Sequence, residues 1–166
     1  MIEREEKEDK YLDKIQKVFN DYGWDTYKKV NPEECKGWDK PFEVDLIVHH
    51  KDYGYIGIEG KHTRTLGQGS KVAQAITQIN RYRKLTYLGN VIIRKWAIAV
   101  GTEKNSVCDD NRNEHIKIFL RGFLRHKDIN ISLLEFNEFR SWNKIVIDAM
   151  TPKAIKIPPY SNTRED

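Results

Sequence analysis

The sequence predicts an α/β fold, a mixed β-sheet with helices packed on it, and three observations lead there. Apolar residues recur at three- and four-residue steps near the N-terminus and again after Ser70. β-branched runs lie at 42–48, 55–59 and 91–100, and Gly-, Pro- and Asn-bearing turn signals separate the two kinds of segment.

From Glu3 to Tyr22 the apolar positions Tyr11, Leu12, Ile15, Val18, Phe19 and Tyr22 mark an amphipathic helix, which Gly23 stops. A short strand over Thr26–Val30 and a loop through "NPEECKGWDKP" follow. "FEVDLIV" and "YIGIE" are two strands joined by "HHKDYG", where Asp52 and Gly54 supply the chemistry of a hairpin turn. Beyond the polar loop "HTRTLGQGS", Ser70 is placed to cap a helix running to about Leu85, with Gly89 marking its end. "VIIRKWAIAV" is apolar enough on both sides for a central strand. After a surface loop, "EHIKIFLRGFLRHK" forms a second amphipathic helix, with Ile116, Phe119, Leu120, Phe123 and Leu124 inward and Lys117, Arg121 and Arg125 outward. "INISLLEF" is a further strand, Asn137–Met150 a short helix passing into a strand, and residues 153–166 an extended, mobile tail. Residues 1–152 thus make one domain, as a chain of 166 residues allows.

Bulk properties exclude several functional classes. The chain has two cysteines, Cys35 and Cys108, and no CxxC pair, which leaves no basis for a disulfide framework or a four-cysteine metal site. A reducing, cytoplasmic setting follows as the expectation. The charged start "MIEREEKEDK" lacks the apolar core of a signal peptide, and no apolar run reaches membrane-spanning length. A net charge of +4 permits contact with a polyanion without proving it.

The hairpin carries the chemistry. A turn on residues 51–54 sets His50 near Tyr55 and brings Asp45 beside Gly60, within one residue of Glu59. Alternation puts Glu59 and Lys61 on one face with Gly60 pointing away, and a one-residue slip is expected not to separate the trio. Two carboxylates held this close repel, which a hard cation between them relieves. Magnesium takes one or two protein carboxylates and keeps several waters, and the Gly60 carbonyl could add a ligand. Lys61 beside such an ion could orient or help deprotonate a water and stabilise charge growing on a phosphate. The competing reading of the same residues is a solvated ion-pair cluster at a strand end.

"VD" followed fourteen residues later by "EGK" resembles the PD-(D/E)xK nuclease superfamily, with Val44 where that motif has proline. "QAITQINRY" holds Gln78 and Tyr82 as Q-x-x-x-Y, similar to the motif of the RecB-like and mismatch-endonuclease branches. The resemblance covers roughly residues 5–100. It implies a restriction-endonuclease-like fold with an αβββαβ core and a magnesium-dependent deoxyribonuclease, with manganese as a substitute ion. Asp45, Glu59 and Gly60 would be the metal-binding positions, with Lys61, Gln78 and Tyr82 completing the site. Glu8 on the first helix is the candidate for a further acidic residue, with Glu5 one turn further out, and Glu43, opposite Lys61, could pair with it or take part in metal binding. A small domain of this kind cuts both strands of a duplex as a homodimer or in two visits. A binding module that has lost catalysis on the same fold is the alternative.

Helix geometry gives Gln78 and Tyr82 a role of their own. Val72, Ile76 and Ile79 form the buried stripe of their helix, and Lys71, Gln78 and Tyr82 lie along its flank at the border of the sheet. Gln74 is the alternative for the glutamine role. Lys71, Arg64 and Arg81 are candidates for contacting the DNA backbone, with a solvated basic face as the competing reading. His49 and His50, adjacent on a strand, point to opposite faces and make a poor ligand pair. Trp24, Trp38, Trp96 and Trp142 read as core or core-edge residues.

Overall fold

A computed structural model of the chain describes residues 2–62, 69–101, 123–124, 126, 128–136, 145–148 and 155–156. Helix α1 (Ile2–Asp21) leads into β1 (Asp25–Val30). Its end has a clear physical cause. Gly23 adopts φ +84°, the Trp24 N–H donates to the Phe19 carbonyl at 3.0 Å, and the Gly23 N–H donates to the Asn20 carbonyl at 3.0 Å. This is a Schellman closure, and the apolar contact that accompanies it is the edge-to-face pair Phe19–Trp24 with centroids 5.2 Å apart. The helix stop and the first core contact are therefore one device.

A 3-10 turn at Glu33–Cys35 precedes β2 (Val44–His50) and β3 (Gly54–His62), which form the antiparallel hairpin. Helix α2 (Gly69–Tyr82) follows, then the small hairpin β4 (Thr86–Tyr87) and β5 (Val91–Ile92), and then β6 (Lys95–Gly101). Farther along lie β7 (Ser132–Phe136), β8 (Ile145–Asp148) and β9 (Ile155–Lys156). Among the described residues seven strands make one sheet in the order β1-β2-β3-β6-β7-β8-β9. The pairs β3–β6 and β6–β7 are parallel and the outer pairs antiparallel, so the sheet is mixed, as the α/β reading expected.

The two helices cover opposite faces. Tyr11, Ile15, Val18 and Phe19 of α1 bury against Leu46, Val48, Ile56, Ile58, Ala97 and Ala99. Val72, Ala75, Ile79 and Tyr82 of α2 bury against Ile47, Trp96, Ile98 and Leu133 on the other side. Each buried aliphatic side chain is worth about 1.5–3 kcal/mol, so these two layers supply the main folding drive. Gly57 marks where the α2 layer is tightest, because a Cβ there would lie 2.4 Å from the Trp96 ring.

Several elements differ from expectation. The helix after Ser70 ends at Tyr82, three residues early, because Thr86 and Tyr87 pair with Ile92 and Val91. Gly89, at φ +94° with Leu88 at φ +50°, turns that small hairpin and does not cap a helix. The run 91–100 is accordingly divided between β5 and β6. Leu124 is buried as predicted, whereas Phe123 is 46% exposed and points outward. Of the predicted helix over 114–127 only residues 123, 124 and 126 are described, and residues 137–144 lie outside the described residues. Ile155–Lys156, read as part of a tail, pairs with β8. Among the described residues no helix is long and apolar enough to cross a membrane.

Candidate active site

The hairpin turn is one residue shorter than counted. His50 pairs with Gly54, which adopts φ +77°, leaving Lys51, Asp52 and Tyr53 as the turn. The ladder then runs through Ile47↔Gly57 to Leu46↔Ile58. Continued by one step, this register sets Asp45 across from Glu59, not from Gly60. That corrects the sequence count and also its tolerance for slippage, because a one-residue slip in a sheet transfers a whole strand to the other face.

Glu59 and Lys61 lie near the C-terminal end of β3, paired in parallel with Ile98 and Val100 of β6. They share a face, and Gly60 between them turns to the other side, where a Cβ would come within 2.8 Å of Leu12 on α1. Glycine leaves room there for the Leu12 side chain of the helix, whose end would have to shift to admit a larger residue. The Gly60 N–H donates to Asp45 Oδ2 at 2.9 Å, which ties the two strands together beyond the last paired residues. The Lys61 Nζ donates to Glu59 Oε1 at 3.3 Å, and both residues are buried. Glu59 Oε2 is buried without a hydrogen-bond partner.

Electrostatics follow from this packing. Burial first and the Asp45 carboxylate second, opposed by Lys61, together push the Glu59 carboxyl up to about 8. Asp45 is also raised, chiefly by burial, with the Gly60 N–H opposing and the Glu8 carboxylate on α1 adding to the rise. Two neighbouring acids whose ionisation is resisted together make a site that favours a proton or a cation between them.

A local distortion brings Asp45 into place. Along β2, Leu46 and Val48 join the α1 layer and Ile47 the α2 layer, as alternation demands, yet Val44 also joins the α2 layer. Strand β1 changes face at the matching point. Thr26 bonds Gln16 of α1, and Lys28 and Lys29 both pair with α1 carboxylates, Asp13 and Asp9, while Val30 packs on the α2 layer. The ladder contains Lys28↔Leu46 and Val30↔Val44 but omits Lys29↔Asp45 between them. Lys29 has φ +55°, a left-handed conformation that costs a non-glycine residue roughly 1–2 kcal/mol. No pattern in "YKKVN" announces this residue.

Helix α2 borders the site from its own layer. Tyr82 is buried, and its hydroxyl donates to the Glu43 carbonyl at 3.0 Å, tying the helix to the residue two before Asp45. Burial raises its phenol, with the Glu59 and Asp45 carboxylates contributing. The hydroxyl thus holds the entry to β2. Gln78, one turn earlier, is half-buried and its Oε1 is buried without a donor, whereas Gln74 is exposed. That distinction favours Gln78 for the glutamine role. Lys71 is half-buried on the first turn of α2. Arg81 is exposed, its guanidinium 5.8 Å from the centre of the Phe42 ring. Arg64 lies outside the described residues, as does Glu5's side chain.

The histidines separate as predicted. His49 lies 3.4 Å from Asp25, while His50 packs on Trp24 and Tyr53. Trp24 and Trp96 are core residues, Trp38 is 55% exposed, and Trp142 lies outside the described residues. Among the described residues no group of three or more His, Cys, Asp or Glu side chains is arranged to hold a metal, so the acidic centre is the Asp45–Glu59 pair. No protein-family model, no curated protein and no solved structure matches this chain.

Proposed function

We propose that the chain is a metal-dependent deoxyribonuclease with a restriction-endonuclease-like fold, using Asp45, Glu59 and Lys61. The observation that carries this reading is a carboxylate pair, Glu59 buried and Asp45 half-buried, both raised in pKa, with an ammonium 3.3 Å from Glu59 and an unpartnered Glu59 Oε2 beside it. A structural ion pair has no need of the second carboxylate. The order α1-β1-β2-β3-α2-β6 agrees with the αβββαβ core that the motif resemblance implies.

The donor set suits magnesium or manganese. Both available side chains offer hard oxygen ligands, and such ions accept one or two carboxylates with water filling the remainder. In a strand the N–H and C=O of one residue face the same edge, so the Gly60 carbonyl also lies towards Asp45. Asp45, Glu59 and the Gly60 carbonyl are therefore the groups to hold the ion. When bound, it supplies Lewis acidity and lowers the pKa of a coordinated water.

The chain's own residues do the rest. Glu59 Oε1 accepts from the Lys61 ammonium near the C-terminal end of β3, where it can orient an attacking water and neutralise charge developing on a phosphate. Gln78 offers an acceptor from α2, and Glu8 adds negative charge from α1. Arg81 and Lys71 on α2 are suited to phosphate contacts that position the DNA. Free, buried Cys35 is in keeping with a reducing cytoplasmic setting.

The test is a panel of linear, circular, single-stranded and branched DNAs with magnesium or EDTA, run beside Asp45→Ala and Lys61→Ala. Cleavage that needs magnesium and disappears in both variants is expected. DNA binding without cleavage of any substrate would assign the chain instead to a binding module.

A further inference from the structure

We infer that Lys29 is a positioning residue for Asp45, acting through its left-handed backbone and not through its ammonium group. The functional meaning rests on the proposed role of Asp45, but the structural claim stands alone. Three observations converge on it. Lys29 is at φ +55° within an otherwise extended strand, and the ladder skips the pair it would make with Asp45. On either side of that gap both strands change face together, with Lys28 and Leu46 on the α1 side and Val30 and Val44 on the α2 side. The one residue of β2 lying in the gap is Asp45, whose carboxylate accepts the Gly60 N–H at 2.9 Å.

The physical logic is that of a paired twist. A regular β1 would hold β2 in strict alternation through residue 44, and Val44 would then join Leu46 on the α1 layer. Turning one residue of β1 into the left-handed region rotates the strand past that point without adding a residue, and the partner strand follows. Unlike a β-bulge, the register is the same before and after, since both Lys28↔Leu46 and Val30↔Val44 hold. The same rotation explains why consecutive residues Lys28 and Lys29 both reach α1, at Asp13 and Asp9, one helical turn apart. Those exposed ion pairs are a consequence of the twist and too weak to be its cause. A sparsely populated conformation of this kind persists where surrounding structure demands it, and here the demand comes from the carboxylate next door.

Substitution separates backbone from side chain. Glycine and asparagine tolerate positive φ, whereas alanine and especially valine resist it. Lys29→Gly and Lys29→Asn are expected to retain slow hydrogen exchange at the Gly60 amide, the donor to Asp45. Lys29→Ala and Lys29→Val should speed that exchange at least tenfold while amides in the middle of β3, such as Ile58, stay protected. In magnesium-dependent DNA cleavage, the Gly and Asn variants should remain within a few-fold of the parent. The Ala and Val variants should lose at least tenfold in kcat with little change in KM.

Equal loss in all four variants would assign the role to the ammonium and overturn the inference. Unchanged Gly60 exchange in both Ala and Val variants would overturn it as well. Alanine is the milder probe if the valine variant unfolds. Absence of cleavage by the parent protein would defeat the nuclease reading alone, because the Gly60 amide reports on Asp45 whether or not DNA is cut.

Discussion

Glu59 and Lys61 form a buried ion pair, Nζ to Oε1 at 3.3 Å, two residues apart on one face of β3. Burial of that carboxylate disfavours its charge more strongly than the single ammonium favours it. The pH dependence of stability follows. Glu59 is raised in the folded chain from an ordinary 4.5 to about 8, so between those values the folded state binds more protons than the unfolded. Its stabilising contribution is complete below the unfolded value and is lost as pH rises through the folded one. Thermal melts of the metal-free protein in EDTA should therefore fall from pH 5 to pH 8. Glu59→Gln should flatten this slope and be the more stable protein at pH 8. An unchanged slope in that variant would contradict the account of the pair.

Divalent ions should act on the same free energy. A cation binding only the folded, ionised pair stabilises by mass action, which reaches about 2.7 kcal/mol at a hundredfold excess over Kd. Magnesium or manganese should raise the melting temperature at pH 8, more weakly at pH 5, and not in an Asp45→Asn, Glu59→Gln double variant. Differential scanning fluorimetry with calcium and sodium controls at matched ionic strength reads this directly.

Lys61→Met removes the donor to Glu59 and leaves a buried carboxylate facing a thioether. Its effect on cleavage should be a loss of roughly 10²–10³-fold in kcat, in the range found when one electrostatic donor is removed from a reacting centre. Glu59 should titrate still higher in this variant, because the group that pulled its pKa down is gone. Carbon-13 NMR of the glutamate carboxyls follows that change.

Gly57 and Tyr82 test the α2 layer. A methyl group at Gly57 would meet the Trp96 ring at 2.4 Å, and that ring is packed against Tyr82 and Tyr87 at 6.0 Å each. Gly57→Ala should cost about 3 kcal/mol by overpacking. Tyr82→Phe keeps the ring and loses only the hydrogen bond to the Glu43 carbonyl, for about 1 kcal/mol. Urea denaturation should rank the two accordingly, and a larger cost for Tyr82→Phe would mean that the hydroxyl does more than tie α2 to β2.

Much of this site was legible because strand periodicity is simple. Two β-branched runs and a Gly-bearing turn make residues 45 and 59 neighbours under almost any count, and alternation alone unites Glu59 with Lys61. The exact register was not legible. Whether Gly54 belongs to the turn or to the strand depends on its positive φ and its pairing with His50, and that single residue decides which face Asp45 shares. The left-handed Lys29 was invisible for a different reason. Its conformation goes with the joint change of face of β1 and β2, against the preference of its own residue type. Likewise "TYLG" reads as a helix end because Gly89 fits both roles, and only tertiary packing, including Glu34 accepting from the Thr86 N–H at 3.0 Å, selects the hairpin.

In the proposed nuclease, Asp45 and Glu59 jointly hold the ion that hydrolysis of DNA requires. Single-turnover cleavage rates against magnesium concentration, for the parent chain and Asp45→Asn, test it most directly. Saturable magnesium dependence is expected in the parent and, in the variant, a rate reduced roughly 10²-fold or more with saturation shifted to higher magnesium. An Asp45→Asn protein that cuts at the parent rate with the same magnesium dependence would contradict it.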